Sequence, residues 1–357
     1  SGWRGGEVVL FMGPYGSCKT TLTCNCVGNL VKHAHKIYTV AYNKWIKKGK
    51  VGKKPKRPVV VLIFTEGDKD TYRCRLLASM ARVPWKKLAT MKSLKSLSNA
   101  TKPGQTPKSK DDEFGTEYEK DEFAKDLKDG EPFLNERQRV QASMEVANDH
   151  LVIIDCTDSE QDGVRIGLGG IPELANIVRT YFRKHKGVKP LAFFIDHISA
   201  LADRMCEAGG KEAEDRMTRI LTRMPLLAAD RLGRPWKCPV LLMHQFSGEA
   251  NRRGVVSKFH HSDSEGSKSI GKYVDFALCC GPTNSDGMCV WDITKHRREP
   301  PMARKVVRVE GHFQRLVDVS KEYHVPIGGR EIVAIKDSAH NAHQYKKPSK
   351  QNNSEGM

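Results

Sequence analysis

The run Gly13-Pro-Tyr-Gly-Ser-Cys-Lys-Thr20 follows a short apolar segment, Glu7 to Met12, and opens a stretch of helical periodicity from Lys19 to His35. A strand that turns through small residues into a helix, with Lys-Thr at its mouth, is the context a phosphate loop requires. In such a loop backbone N–H groups turn inward, the helix N-terminus adds positive dipole, the lysine reaches the β and γ phosphates, and the next hydroxyl ligates Mg²⁺. Gly13, Pro14, Tyr15, Gly16, Ser17, Cys18, Lys19, Thr20 and Thr21 are therefore the expected binding residues for ATP or another NTP with Mg²⁺. Cys18 stands where the motif expects Gly, so a side chain must be accommodated where backbone normally approaches phosphate. A plain turn and helix cap is the alternative, but it leaves the coincidence of strand, loop, Lys-Thr and helix unexplained.

A phosphate loop of this kind needs a mainly parallel sheet behind it, and the rest of the chain supplies the pattern. Apolar or β-branched runs predict strands at Glu7–Met12, Pro58–Thr65, His150–Cys156, Leu191–Asp196 and Pro239–Gln245. Amphipathic runs predict helices at Lys19–His35, Lys69–Ala81, Ile171–His185 and Lys211–Leu232. After Gly266 the strands come closer together, at Tyr273–Cys280, Met288–Thr294, Val306–Val309 and Gln314–Val319, which suggests an antiparallel extension. With 357 residues and 39% apolar content, the chain can bury one large α/β core over residues 1–325. The polar, charged stretch at 93–132 reads as a disordered insertion and 340–357 as a disordered tail.

Two carboxylates and an amide end the buried strands, where open α/β sheets assemble their sites. Asp196 closes Leu191-Ala-Phe-Phe-Ile-Asp196 and would hold the metal with Thr20. Glu66 closes Val59-Val-Val-Leu-Ile-Phe-Thr-Glu66 and is the candidate base for an attacking water. Either acid, taken alone, could equally cap the next helix. Gln245 ends Pro239-Val-Leu-Leu-Met-His-Gln245, where an uncharged amide could bond a γ-phosphate or its water; a purely structural Gln is the alternative.

The net charge of +18 favours a polyanionic partner. Much of the excess sits between Lys32 and Arg57, above all in Lys44-Trp-Ile-Lys-Lys-Gly-Lys-Val-Gly-Lys-Lys-Pro-Lys-Arg57, which reads equally as a solvated surface loop. Ten scattered cysteines without paired metal spacing point to reduced thiols in a cytoplasm-like compartment, bacterial or that of a virus-infected host, with an organellar nucleoid as the alternative. No apolar run approaches the roughly 20 residues of a membrane span, so no membrane partner is expected. The chain opens Ser1-Gly2, as a processed or fused chain would, and a further N-terminal domain is an open expectation.

In order, these segments resemble the C-terminal ATPase domain of DnaB-type replicative helicases, a group that includes phage and mitochondrial ring helicases. Arg4-Gly-Gly-Glu-Val-Val-Leu looks like the run into their phosphate loop. Phe64-Thr-Glu66 with Arg75-Leu-Leu-Ala-Ser-Met-Ala-Arg-Val83 looks like the strand and helix around their catalytic glutamate. Ile195-Asp-His-Ile-Ser-Ala-Leu201 is similar to their metal-binding strand, with His197 where an aromatic is more usual, and Ser264–Asp275 resembles the stretch after their Gln strand. Ile293-Thr-Lys-His-Arg-Arg-Glu-Pro-Pro301 is similar to the hairpin that reaches a neighbour's γ-phosphate.

The resemblance covers about residues 4–90 and 150–320 and implies a RecA-like P-loop NTPase core. It further implies a homo-oligomeric, hexameric ring with Lys295 and Arg297 as fingers acting in trans, and activity as a helicase on single-stranded DNA during replication. Primase, polymerase or a loader would be partners. The loops 204–212 and 247–268 would face the channel, with Arg252, Arg253 and Lys258 on phosphates and Phe259 as the one stacking face. A RecA-type recombination or annealing ATPase and a nucleotide-switched initiation or loading protein are the alternatives.

Overall fold

The computed structural model of the chain describes residues 3–14, 18–67, 69–90, 136–156, 170–207, 213–298, 304–325 and 331–335. The expected insertion at 93–132 and tail at 340–357 lie outside them. Six parallel strands form the centre: β1 (Val8–Gly13), β2 (Arg57–Phe64), β3 (Leu151–Asp155), β4 (Val188–Asp196), β5 (Val240–Gln245) and β6 (Phe276–Cys280). Antiparallel β7 (Met288–His296), β8 (Lys305–Glu310) and β9 (Arg315–Asp318) extend it. The order across the nine-stranded sheet is β3-β2-β4-β5-β1-β6-β7-β8-β9, and a separate pair, β10 (Tyr323–His324) and β11 (Val333–Ala334), follows.

Central strands covered on both faces read as continuous apolar runs, and β1, β5 and nearly all of β2 are buried residue by residue. Alternation divides each strand between two cores. Val8, Leu10 and Met12 face one layer of helices, α5 (Gly170–Lys184), α6 (Ile198–Glu207) and α7 (Ala213–Ala228). Val9 and Phe11 face the other, α1 (Lys19–Lys47), α2 (Lys69–Ala81) and α4 (Glu136–His150), with short α3 (Trp85–Thr90) beside it. Fully buried Phe193 and Phe194 point one into each core, each contributing about 1.5–3 kcal/mol of burial free energy.

Helix α1 is the largest departure from the sequence reading. Its buried residues end at Ala34, which is why apolar periodicity suggests a stop at His35. No proline or glycine follows until Gly49, whose φ of 64° ends the helix, so α1 runs 29 residues to Lys47 and is about 43 Å long. Lys44 and Lys47 therefore lie on a helix rather than in a loop. Gly28 lets α1 approach α2: a Cβ there would stand 3.0 Å from Met80 Cγ.

The helix expected through Leu232 is broken. Pro225, lacking an N–H and crowding the preceding turn, sits inside α7, and after Ala228 the chain passes through a π-turn, Ala229–Gly233, and a last α turn, Arg234–Trp236. Helices α3, α4 and α6 are additions to the sequence reading, and His150, expected to begin a strand, instead ends α4.

Candidate functional site

The register of the parallel strands assembles the site. Phe64 on β2 pairs with Asp196 on β4, and Gly13 on β1 pairs with Gln245 on β5. With β2, β4, β5 and β1 adjacent in that order, Glu66, Asp196, Gln245 and the phosphate loop line up along the C-terminal edge of the sheet. Gly67, at φ 92°, supplies the left-handed turn that releases the chain after Glu66.

Tyr15, Gly16 and Ser17 lie outside the described residues. At the start of α1 the Lys19 ammonium donates to the carbonyls of Gly13 (3.0 Å) and Pro14 (2.6 Å), which folds it back over the loop. Burial holds Lys19 below the usual lysine range, offset in part by the neighbouring Asp196 and Glu66 carboxylates. Asp196 is 7% exposed. Burial raises its carboxyl above the usual range, while His197, the Thr23 hydroxyl and Lys19 draw it back down. Thr20 lies beside Lys19 in the first turn of α1 and Thr21 donates to Gln314 Oε1 at 3.1 Å.

These groups suit Mg²⁺. Among the described residues no cluster of three or more His, Cys, Asp or Glu forms a self-sufficient metal cage. A buried carboxylate near a threonine hydroxyl and a lysine instead fits an ion that keeps its waters and shares phosphate oxygens.

Cys18 resolves the irregularity of the loop. Its side chain turns away from the loop mouth into a small apolar cluster with Cys280, Cys289 and Val307 on β6, β7 and β8. A hydrogen bond with Cys280 pulls its thiol down, but contact with Cys289 and burial push harder and leave it above the usual thiol range.

The sequence marks His197 only as an unusual residue. The structure gives it a partner: His197 Nε2 meets Glu66 Oε2, and Ala200 N donates to its Nδ1 at 3.4 Å. The Asp196–His197 peptide is cis. Thr65 ties the two strand ends together, its N–H donating to the Asp196 carbonyl (2.9 Å) and its hydroxyl to the His197 carbonyl (2.8 Å). Arg204, expected in a channel loop, belongs to α6, and its guanidinium donates to the carbonyls of Thr65 (2.9 Å) and Cys156. Behind this edge, buried His244 bridges Ser199 and Ser264 at 2.7 Å each.

Gln245 leads directly into the second expected loop. Glu265 N donates to the Gln245 carbonyl at 3.1 Å, and Ser247 N to the Asp263 carbonyl at 2.8 Å. Arg252 and Lys258 are exposed, whereas Arg253 makes a two-pronged ion pair with Asp263 at 2.8 and 3.0 Å and so braces the loop. Phe259 is not a stacking face for a base: it is 2% exposed and stacks on Phe246 at 4.9 Å. The strand that follows holds the loop from outside, because Asp292 on β7 accepts from Phe259 N (3.3 Å) and from Arg304, which also donates to the Ser257 carbonyl (2.7 Å).

Lys295 and Arg297 lie at the other edge of the sheet. Lys295 donates to the Gly271 carbonyl at 2.7 Å, and Arg297 pairs with Asp275 at 2.7 Å while Asp275 also accepts from Val8 N. The full length of β1, about 20 Å, separates them from the phosphate loop of their own chain.

No protein-family model and no curated protein sequence matches this chain. Among solved structures it is similar to a helicase ATPase domain, with a TM-score of 0.56 and 14% identity over 89% of this chain and 86% of that one. The fold is that of a DnaB-type helicase ATPase domain. A DnaB-like replicative helicase, solved in a study of its interactions with primase, superposes with a TM-score of 0.54 and 14% identity over 88% of this chain. The chain spans 58% of that helicase. Among the described residues no helix is long and apolar enough to cross a membrane.

Proposed function

We propose that this chain is the motor core of an ATP-driven DNA helicase acting in replication, built as a ring of identical subunits. The alignment of Glu66, Asp196, Gln245 and the Lys19 loop along one sheet edge, within this fold, carries the reading. Lys19 holds the β and γ phosphates, and Thr20 and Asp196 hold Mg²⁺, which neutralises charge on the transferred phosphoryl group. Glu66 takes the proton of the attacking water, and His197 positions its carboxylate. Gln245 senses the γ-phosphate, and its backbone bonds to the 263–265 segment pass the change to a loop carrying Arg252 and Lys258 toward single-stranded DNA.

Lys295 and Arg297 are too far from their own nucleotide to act on it, so their catalytic use requires a neighbour across a heterologous, ring-closing interface. Asp292, on the same strand, also grips the DNA-facing loop, so finger and loop are two outputs of β7.

The test is strand displacement on a forked duplex by wild type, Lys19→Ala and Arg297→Ala, with ATP turnover measured with and without single-stranded DNA. Wild type should unwind and both variants fail. Turnover that survives Lys19→Ala would remove the central assignment, and strand annealing without unwinding would point to a recombinase.

A further inference from the structure

From Val8 to Thr65 the chain contains no Asp or Glu, while Lys44 to Arg57 alone carries eight cations. The proposed motor uses none of these eight. The last turns of α1 overhang the sheet, beyond its final buried residue, Ala34, and the chain then doubles back to β2.

This overhang is built rather than loose. Tyr38, Tyr42 and Trp45 form a ladder along α1 with successive ring centroids 5.7 Å apart. Its base is fixed by Tyr38 and His35 against His150, which bonds the Pro58 carbonyl at 2.7 Å. At the tip, Trp45 Nε1 donates to the Gly52 carbonyl at 3.3 Å, and the Lys54 ammonium sits 5.6 Å from the Tyr42 ring. Gly49, Lys50 and Gly52 all adopt positive φ, curling the segment into a tight return. Every lysine from Lys44 to Lys56 is exposed, and so are Val40 (64%) and Val51 (75%). The acids nearest its base, Glu145 and Asp149, lie on α4, and Asp149 is taken up by Arg57 at 2.6 Å.

A helix at least three turns longer than its core contact needs, with a pinned cationic return and no balancing acid, is a preformed surface for a polyanion. We infer that the α1 overhang and the 48–56 return form a second nucleic-acid site that grips the phosphate backbone without reading sequence. It lies at the opposite edge of the sheet from the nucleotide and the 247–268 loop, because α1 starts at the phosphate loop and runs antiparallel to the strands. The exposed aliphatic side chains would lie against sugars, and the lysines would replace condensed counterions.

The experiment uses full chain and fluorescently labelled oligonucleotides, one single-stranded and one duplex, titrated by anisotropy without nucleotide over a range of salt. Replacing Lys47, Lys48, Lys50, Lys53 and Lys54 by Ala should weaken binding about 10- to 100-fold at low salt and flatten the log–log salt slope by roughly 3–5. The same five changed to Arg should retain binding. ATP turnover and melting temperature serve as fold controls and should not move. The oligonucleotide that loses more affinity identifies the strand form this site takes. An unchanged affinity and slope in the Ala variant overturns the proposal, as does binding to anionic phospholipid vesicles that exceeds binding to both oligonucleotides. Arg252→Ala with Lys258→Ala is the separate arm for the helicase reading: it should abolish only nucleotide-dependent binding, so either site can fail without the other.

Discussion

The Sγ of Cys18 lies 4.0 Å from the Sγ of Cys289. The residue that precedes the phosphate-loop lysine is thereby packed against the antiparallel wing of the sheet, and the place where glycine is expected becomes a peg. Cys18→Gly should lower stability by about 1–2 kcal/mol through the lost packing and leave nucleotide binding intact, since the thiol points away from the loop mouth. Thermal denaturation and nucleotide titration check both halves; loss of nucleotide binding in this variant would show that the peg also shapes the loop.

Glu66→Gln should bind nucleotide normally and lose turnover by about 10²-fold or more. His197→Gln should lower kcat, with KM little changed, and displace the acid limb of the pH–rate profile, because His197 acts on the carboxylate and not on the nucleotide. A variant with lowered melting temperature and a normal pH profile would make His197 structural only.

Subunit mixing tests the trans arrangement. Arg297→Ala alone should lose about 10³-fold in turnover. Lys19→Ala mixed with Arg297→Ala should recover part of it, since some interfaces then combine an intact loop with an intact finger. Absence of any recovery, in subunits shown to co-assemble, counts against Lys295 and Arg297 as fingers.

Stability should fall on the acid side of neutrality. Burial lowers His244 to about 3 and His261 to about 4, so each stays neutral in the fold while the unfolded chain takes up a proton near pH 6.5. The unfolded state binds more protons between those values, and stability is lost as pH drops below about 6.5. By pH 5 His244 alone costs roughly 2 kcal/mol. Asp196, raised by burial, works in the opposite sense at lower pH and softens the decline. Denaturant melts at about pH 7.5, 6 and 5, which bracket the titration of the unfolded chain, should show it, and His244→Asn should flatten the dependence.

Much of this was readable from residues because central parallel strands advertise themselves: Val59 to Ile63 and Leu191 to Ile195 are apolar on both faces, and the groups that end them fall at one edge by register. Lys69–Ala81 was legible for a similar reason, a buried face with clear ends. What escaped depends on partners distant in sequence. Phe259 reads as a free ring until Phe246 covers it. His197 reads as a substitution until Glu66 meets it. Gln314, in a left-handed turn, bonds Thr21 and Asn25 at the start of α1 across nearly the whole chain length, and no local pattern announces that. The overhang of α1 is hidden because burial, which drives periodicity, stops at Ala34 while helix propensity does not.

That same helix has a mechanical consequence. One unbroken rod begins at Lys19 on the phosphates and ends at Lys47 beside the cationic return, braced on the way by Met80 and His150. A tilt of roughly 5° at the nucleotide end moves the tip by about 4 Å over such a length. Hydrolysis would thus be felt at the far edge as displacement, with no relay of side chains in between.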